Sequence, residues 1–99
     1  MPKIVFEINY DVIPAKREDY LELIQKLKGK IQSSSNKNYS VYENKRGSNN
    51  FSEIYLCESE EEYESIDDNQ DESTVEITER LFTEFIKDGK VTYYTKYEL

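Results

Sequence analysis

Hydrophobic and polar residues alternate at the start of the chain and again at its end. From Ile4 to Val12 every second residue is apolar, and most residues between them are polar. A period of two is typical of a β-strand with one buried face. Similar alternation predicts three further strands, in residues 39–45, 51–57 and 91–99.

Two segments between these strands carry apolar residues at helical spacing. The stripe in residues 16–32 consists of Tyr20, Leu23, Ile24, Leu27 and Ile31. Gly29 either lies inside this helix or ends it. The stripe in residues 73–86 consists of Val75, Thr78, Leu81, Phe82, Phe85 and Ile86. Gly89 is expected to follow that helix as a left-handed C-terminal residue.

The second helical region is predicted in two pieces. Ser59 with Glu62 has capping-box spacing, in which the two side chains accept hydrogen bonds from free backbone N–H groups. Residues 67–71 contain no apolar side chain and interrupt the pattern. Ser73 with Glu76 repeats the spacing and predicts a new helix start.

The predicted order of elements is β, α, a β-hairpin, α, β. This order is the ferredoxin-like βαββαβ pattern, an α+β fold with a four-stranded antiparallel sheet and two helices on one face, the second of them broken. Residues 1–99 are expected to form a single domain, because this length lies within the usual range for one.

Composition and charge limit the classes of partner that the protein is expected to bind. The formal net charge is −8, and nine of the 21 acidic residues lie between Glu58 and Glu72. Nucleic-acid binding is disfavoured, since it needs clustered Lys and Arg, and no basic amphipathic helix or long apolar run predicts a membrane contact. A single cysteine precludes an internal disulfide, and the N-terminus lacks a secretory signal pattern. We therefore expect a cytoplasmic protein.

The chain resembles the dimeric α/β-barrel superfamily, which includes the antibiotic-biosynthesis-monooxygenase-like domains. The resemblance rests on the passage NYDVIP at residues 9–14 with Tyr20 and Leu21 after it, on the strand that leads into SEEEY at residues 59–63, and on the aromatic last strand. It implies that two protomers face their open sheet surfaces together, forming a barrel that holds a small molecule. Apolar residues on both strand faces agree with a homodimer.

The absence of histidine and tryptophan excludes one branch of that superfamily. The resemblance implies that its haem-degrading members use an asparagine, a histidine and a tryptophan, and only Asn9 can match. We expect no cofactor. The leading hypothesis is a barrel that binds a small aromatic or apolar molecule, with no assignable chemistry. The enzymatic alternative is a cofactor-independent monooxygenase acting on a quinol or phenol.

Four polar residues are candidates for the barrel interior. Asn9, Ser52 and Tyr94 are candidate ligand-binding residues, and Asn9 and Glu7 are candidate catalytic residues. Inside a closed barrel, desolvation is expected to raise the pKa of Glu7 and make it a general base. The alternative is that Glu7 is an ordinary surface acid and that the others face water in an interface.

The remaining motifs predict no metal site. Residues 67–71 carry acids and amides, but Glu72 replaces the glycine and Thr78 the glutamate that an EF-hand loop requires. Cys57 is expected to be a buried, inert thiol.

A third hypothesis for the function is a structural module that binds a basic partner through the acidic helix.

Overall fold

A four-stranded antiparallel sheet forms the base of the fold in the computed structural model, which describes residues 3–35, 38–66 and 72–99. The strand order is β2-β3-β1-β4. The strands are β1 (Ile4–Val12), β2 (Asn38–Glu43), β3 (Asn50–Cys57) and β4 (Ile86–Tyr97). This is the predicted ferredoxin-like arrangement, with the helices packed on one face.

Three α-helices cover the core face of the sheet. They are α1 (Arg17–Ser35), α2 (Glu60–Glu64) and α3 (Glu72–Arg80). A 3-10 turn, Pro14–Lys16, leads into α1, and a π-helical turn, Leu81–Phe85, extends α3 directly into β4. In the described part of the chain, no helix combines the length and the apolar character that a bilayer crossing requires.

The helical stripe predicted for α1 forms the centre of the core. All five of its apolar residues are buried, against strand residues such as Ile4, Tyr10 and Phe51. Burial of a Leu or Ile side chain contributes about 1.5–3 kcal/mol, so this stripe fixes α1 on the sheet. Gly29 lies inside α1 rather than at its end.

Of the two predicted capping boxes, only the first caps the N-terminus of a helix. The Ser59 hydroxyl accepts a hydrogen bond from the Glu62 N–H at 3.2 Å, and the Glu62 carboxylate accepts one from the Glu58 N–H at 2.9 Å. Ser73 lies inside α3, which begins at Glu72, and its hydroxyl accepts a hydrogen bond from Lys30 at 2.8 Å. The predicted break at residues 67–71 lies outside the described residues.

The prediction that Gly89 ends a helix is wrong, because β4 already begins at Ile86. Val12 pairs with Ile86 and Tyr10 pairs with Val91, so residues 87–90 bulge out of the ladder opposite a single β1 residue. Asp88 and Gly89 both have positive φ, 58° and 62°. An Asp-Gly pair adopts such a tight reversal at low cost, and it serves a β-bulge here.

An ion pair connects the start of α1 with the β2–β3 hairpin. The Arg17 guanidinium donates hydrogen bonds to both carboxylate oxygens of Glu43 and one to the Asn49 side chain. The Arg17 hydrogen bond is the main reason why the pKa of Glu43 falls to about 2.

Candidate functional site

A buried carboxyl group lies in the core between the sheet and the helices. Glu53 occupies the core face of β3 between Phe51 and Tyr55, and only 7% of it is exposed. The Tyr10 hydroxyl donates a hydrogen bond to Glu53 Oε2 at 2.7 Å, and the Tyr39 hydroxyl donates one to Oε1 at 2.6 Å. Each carboxyl oxygen therefore has a hydroxyl partner.

A third tyrosine completes this cluster. The hydroxyls of Tyr10 and Tyr20 are 2.8 Å apart. Because Tyr10 uses its only proton for Glu53, Tyr20 must be the donor in this pair. The rings support the geometry, since Tyr20 packs against Phe51 at a centroid distance of 4.5 Å and Tyr39 against Tyr55 at 4.9 Å.

Burial controls the protonation of the cluster. Desolvation raises the pKa of Glu53, and the hydrogen bonds from Tyr39 and Tyr10 oppose that shift only in part. Desolvation, with the carboxylate nearby, also raises the pKa of Tyr10 and Tyr39 far above the ordinary tyrosine range. The tyrosines therefore stay neutral donors, and Glu53 is the acid of this cluster, with a pKa raised above the ordinary value.

A cavity of about 200 Å³ adjoins the carboxyl group. It lies between the sheet, α1 and the end of α3, and it is lined by Ile8, Tyr10, Leu27, Ile31, Glu53, Tyr55, Thr78, Leu81, Phe82, Ile86, Val91 and Tyr93. A dry cavity of about 150 Å³ is enough to bind benzene, so this one has room for a single ring with a small substituent. Apolar walls with a few polar groups are typical of small-molecule sites.

The π-helical turn and β4 form one side of the cavity. The turn closes with a hydrogen bond from the Ile86 N–H to the Leu81 carbonyl, and it contributes Leu81 and Phe82 to the lining. Such π-helical insertions often occur at functional sites. Phe82 is 48% exposed and Tyr93 is 62% exposed, so these two rings lie where the cavity meets solvent.

The four residues predicted from the sequence lie on the opposite, open face of the sheet. The strand register places Asn9 beside Ser52 and Glu7 beside Tyr94. Asn9 donates a hydrogen bond to the Ser52 hydroxyl at 3.0 Å, and that hydroxyl donates one to Glu7 at 2.8 Å. Hydrogen bonds therefore connect three of the four residues, and Tyr94 is the strand neighbour of one of them. None of the four lines the cavity beside Glu53.

The raised pKa expected for Glu7 applies to a closed barrel of two copies and stays a prediction. In the single protomer its pKa is lowered, first by the hydrogen bond from Ser52 and also by Lys96, whose ammonium lies 3.1 Å from Glu7 Oε1. A carboxylate stabilised in this way is a poorer proton acceptor. Tyr94, which is 47% exposed, has the Lys96 ammonium 5.7 Å from its ring centroid.

Sequence reasoning missed Glu53, although a signal for it was present. In the alternating strand at residues 51–57, Glu53 has the same phase as Phe51, Tyr55 and Cys57. A lone acid in phase with the buried positions of a strand predicts either a surface edge or a buried functional group. The pairing of β3 between β1 and β2 excludes an edge, and Glu53 is buried.

The structure shows no metal-ligand cluster in residues 3–35, 38–66 and 72–99. Within these ranges no group of three or more Cys, Asp and Glu residues is placed to hold a metal ion. Cys57 is buried, as expected. The acidic segment 67–71 lies outside the described residues.

The fold recurs in solved structures of low sequence identity, whereas the sequence matches no protein-family model and no curated protein. A conserved Methanosarcina mazei protein superposes with a TM-score of 0.76 and 15% identity, over 97% of this chain and 92% of that one. A Caulobacter crescentus protein, provisionally called an antibiotic biosynthesis monooxygenase, has a TM-score of 0.74 and 12% identity, over 96% and 88% of the two chains. A NIPSNAP-like domain protein from Burkholderia xenovorans has a TM-score of 0.69 and 15% identity, over 98% and 84%.

These likenesses confirm the resemblance at the level of the fold. The chain has the ferredoxin-like fold of the antibiotic-biosynthesis-monooxygenase-like proteins. Identities of 12–15% carry no information about the reaction or the ligand.

Proposed function

Starting from this fold, we propose that the protein binds a small molecule of about one ring in the cavity beside Glu53. The observation that carries the proposal is the combination of an apolar cavity of about 200 Å³ with one buried carboxyl group in its wall. Burying a carboxyl group costs free energy, and a buried acid that faces a cavity is a candidate functional group. Tyr10 and Thr78 are further polar lining residues that can orient a ligand.

A pair of neighbouring substitutions on β4 tests the location of the site. Val91 lines the cavity, whereas Thr92 lies on the open face opposite Asn9. Val91→Trp is expected to fill the cavity and to weaken binding of phenol or benzyl alcohol at least about tenfold, a loss of about 1.4 kcal/mol. Thr92→Trp is the matched control and should bind as the wild type does. Isothermal titration calorimetry measures both, and equal affinities in the two variants would place the ligand elsewhere.

Oxygenase chemistry is the second candidate function, and the position of the Glu53 carboxyl group in the cavity wall supports it as well. A phenol or quinol whose hydroxyl faces this carboxylate can pass its proton to it, which makes the ring electron-rich enough to react with O₂. Oxygen uptake with a hydroquinone tests the idea, and Glu53→Gln should slow turnover by about 10²–10⁴-fold. The same assay on Asn9→Ala and Glu7→Gln tests the residues predicted from the sequence. If the wild type consumes no oxygen, the oxygenase candidate is wrong and the ligand-binding proposal is unaffected.

We also propose that two copies associate through the open sheet face. Val5, Ile54 and Leu56 lie on that face by the strand register, and the helices pack on the other. An apolar sheet face without a covering layer favours a partner, and the simplest is a second copy.

Leu56→Lys is expected to convert the dimer to a monomer, because it introduces a charge into the proposed interface. Leu21→Lys on the solvent side of α1 is the control, since Leu21 is 37% exposed and away from the open face. Light scattering after size-exclusion chromatography measures both masses. A monomeric wild type, or dimers in both variants, would contradict the proposed interface.

The interaction of the acidic helix with a basic partner stays a prediction. Glu60, Glu61 and Glu62 do form the first turn of α2. Acids in a first turn also stabilise a helix through its dipole, so their position alone does not require a partner.

A further inference from the structure

The cavity wall contains one carboxyl group and no basic side chain among the described residues. Glu53 is the only acid in the described lining. In residues 3–35, 38–66 and 72–99, no Lys or Arg forms an ion pair with Glu53. Its hydrogen-bond partners are the neutral hydroxyls of Tyr10 and Tyr39. An ionised carboxylate buried in this way gains most from a cation brought next to it.

The carboxyl group retains hydrogen-bonding capacity toward the cavity. An ionised carboxylate offers about four acceptor sites on its two oxygens. Tyr10 and Tyr39 occupy one site on each oxygen. The remaining sites can accept N–H groups from a ligand without displacing either tyrosine.

The rings around the cavity suit the same ligand. Tyr10, Tyr55, Phe82 and Tyr93 contribute aromatic surface to the lining. The face of an aromatic ring attracts a cation within about 6 Å of its centroid, and the effect grows when the site is desolvated. A buried acid combined with several aromatic rings is a recurring arrangement for binding organic ammonium groups.

We propose that the cavity selects a small organic cation, an alkyl- or arylalkyl-ammonium whose nitrogen contacts Glu53 and whose apolar part fills the space toward Leu27 and Leu81. This inference rests on the proposed function and specifies its ligand class. A neutral hydroxyl donates one hydrogen bond to Glu53 but leaves its charge uncompensated. An anionic ligand meets repulsion from an ionised Glu53, and no described residue of the wall is a base.

Benzylamine, benzyl alcohol, toluene and benzoate form a matched series, because they share one ring and differ in the charge and polarity of the substituent. Isothermal titration calorimetry of the wild-type protein at neutral pH is expected to rank benzylamine first. Its affinity should exceed that of benzyl alcohol by about tenfold or more, as expected for a charge-assisted hydrogen bond. Benzoate should not bind measurably.

The variant Glu53→Gln removes the charge with little change in shape. It is expected to bring benzylamine to the affinity of benzyl alcohol or below, and to leave toluene binding within about twofold of the wild type. If this variant does not fold, the ranking of the four compounds on the wild-type protein still decides the question.

Each outcome has a distinct meaning. If benzyl alcohol or toluene binds as tightly as benzylamine, the selection of cations is wrong and the proposed ligand site stands. If benzylamine binds best but Glu53→Gln retains that preference, another group recognises the cation and the inference is wrong. If none of the compounds binds, the proposed function itself fails.

Discussion

Replacing Leu27 with alanine is expected to lower the free energy of unfolding by about 2–5 kcal/mol, the range found for such truncations in well-packed cores. Leu27 is 2% exposed and lies in the middle of the α1 stripe. It also lines the cavity, so the truncation joins the vacated volume to space that already exists. The wall cannot collapse fully, and the lost contacts are not replaced. Urea unfolding followed by circular dichroism measures the change.

The same substitution at Leu21 is the control, because Leu21 lies on the same helix and is 37% exposed. Leu21→Ala should cost less than about 1 kcal/mol. The enlarged cavity of Leu27→Ala should also accept a larger ligand, and naphthalene derivatives should raise its unfolding midpoint more than they raise that of the wild type. Equal stability losses at both positions would mean that α1 does not pack as described.

Glu53→Gln is expected to remove a decline in stability that the wild type shows as the pH rises above 4.5. The pKa of Glu53 is raised above its ordinary value of 4.5, so the folded protein binds more protons than the unfolded chain between that value and the raised one. Stability therefore falls with increasing pH across this window and is greatest below it. Each unit by which the pKa is raised corresponds to about 1.4 kcal/mol.

Other groups titrate outside this window. Tyr10, Tyr20 and Tyr39 have raised pKa values and stay neutral throughout it. Glu43 has a pKa lowered to about 2, so its contribution is present above pH 4.5 and is lost only as the pH falls below that value.

Glu7→Gln is the matched control for this profile. The pKa of Glu7 is lowered, so its contribution to stability is lost as the pH falls below 4.5, the opposite direction from Glu53. Thermal unfolding measured across pH should therefore show a smaller decline in stability above pH 4.5 for Glu53→Gln than for the wild type, and an unchanged decline for Glu7→Gln. A wild-type stability that rises through this window would contradict a buried, uncompensated Glu53.

The fold was predictable because short-range signals agreed with one another. The five-residue stripe of α1, the alternation in β1 and the cap at Ser59 each predicted the element that the structure contains. The junction between α3 and β4 was not predictable in the same way. A helical stripe that reaches Ile86 does not reveal a π-helical turn, and the left-handed Asp88 and Gly89 serve a bulge as readily as a helix end.

The candidate site was harder to predict, because it depends on which sheet face the helices cover. The sequence drew attention to polar residues in an apolar strand, and Glu7, Asn9 and Ser52 do lie together on the open face. Their role as ligand-binding residues stays a prediction. Glu53 became visible only through its pairing with Ile8 and Val41 across neighbouring strands, which places it under α1. Alternation gives the phase of Glu53 in its strand, but which phase the helices cover depends on contacts between distant parts of the chain.

Methyl-resolved NMR during titration with benzyl alcohol tests the central claim most directly, because the two faces of the sheet carry separate sets of methyl groups. If the cavity beside Glu53 is the binding site, shift changes should concentrate on its lining methyls, those of Ile8, Leu27, Ile31, Leu81, Ile86 and Val91. The open face has its own reporters, Val5, Ile54 and Leu56. The account predicts large shifts in the first set and small ones in the second. Shifts confined to the second set would contradict it and place the ligand between the sheets of a dimer.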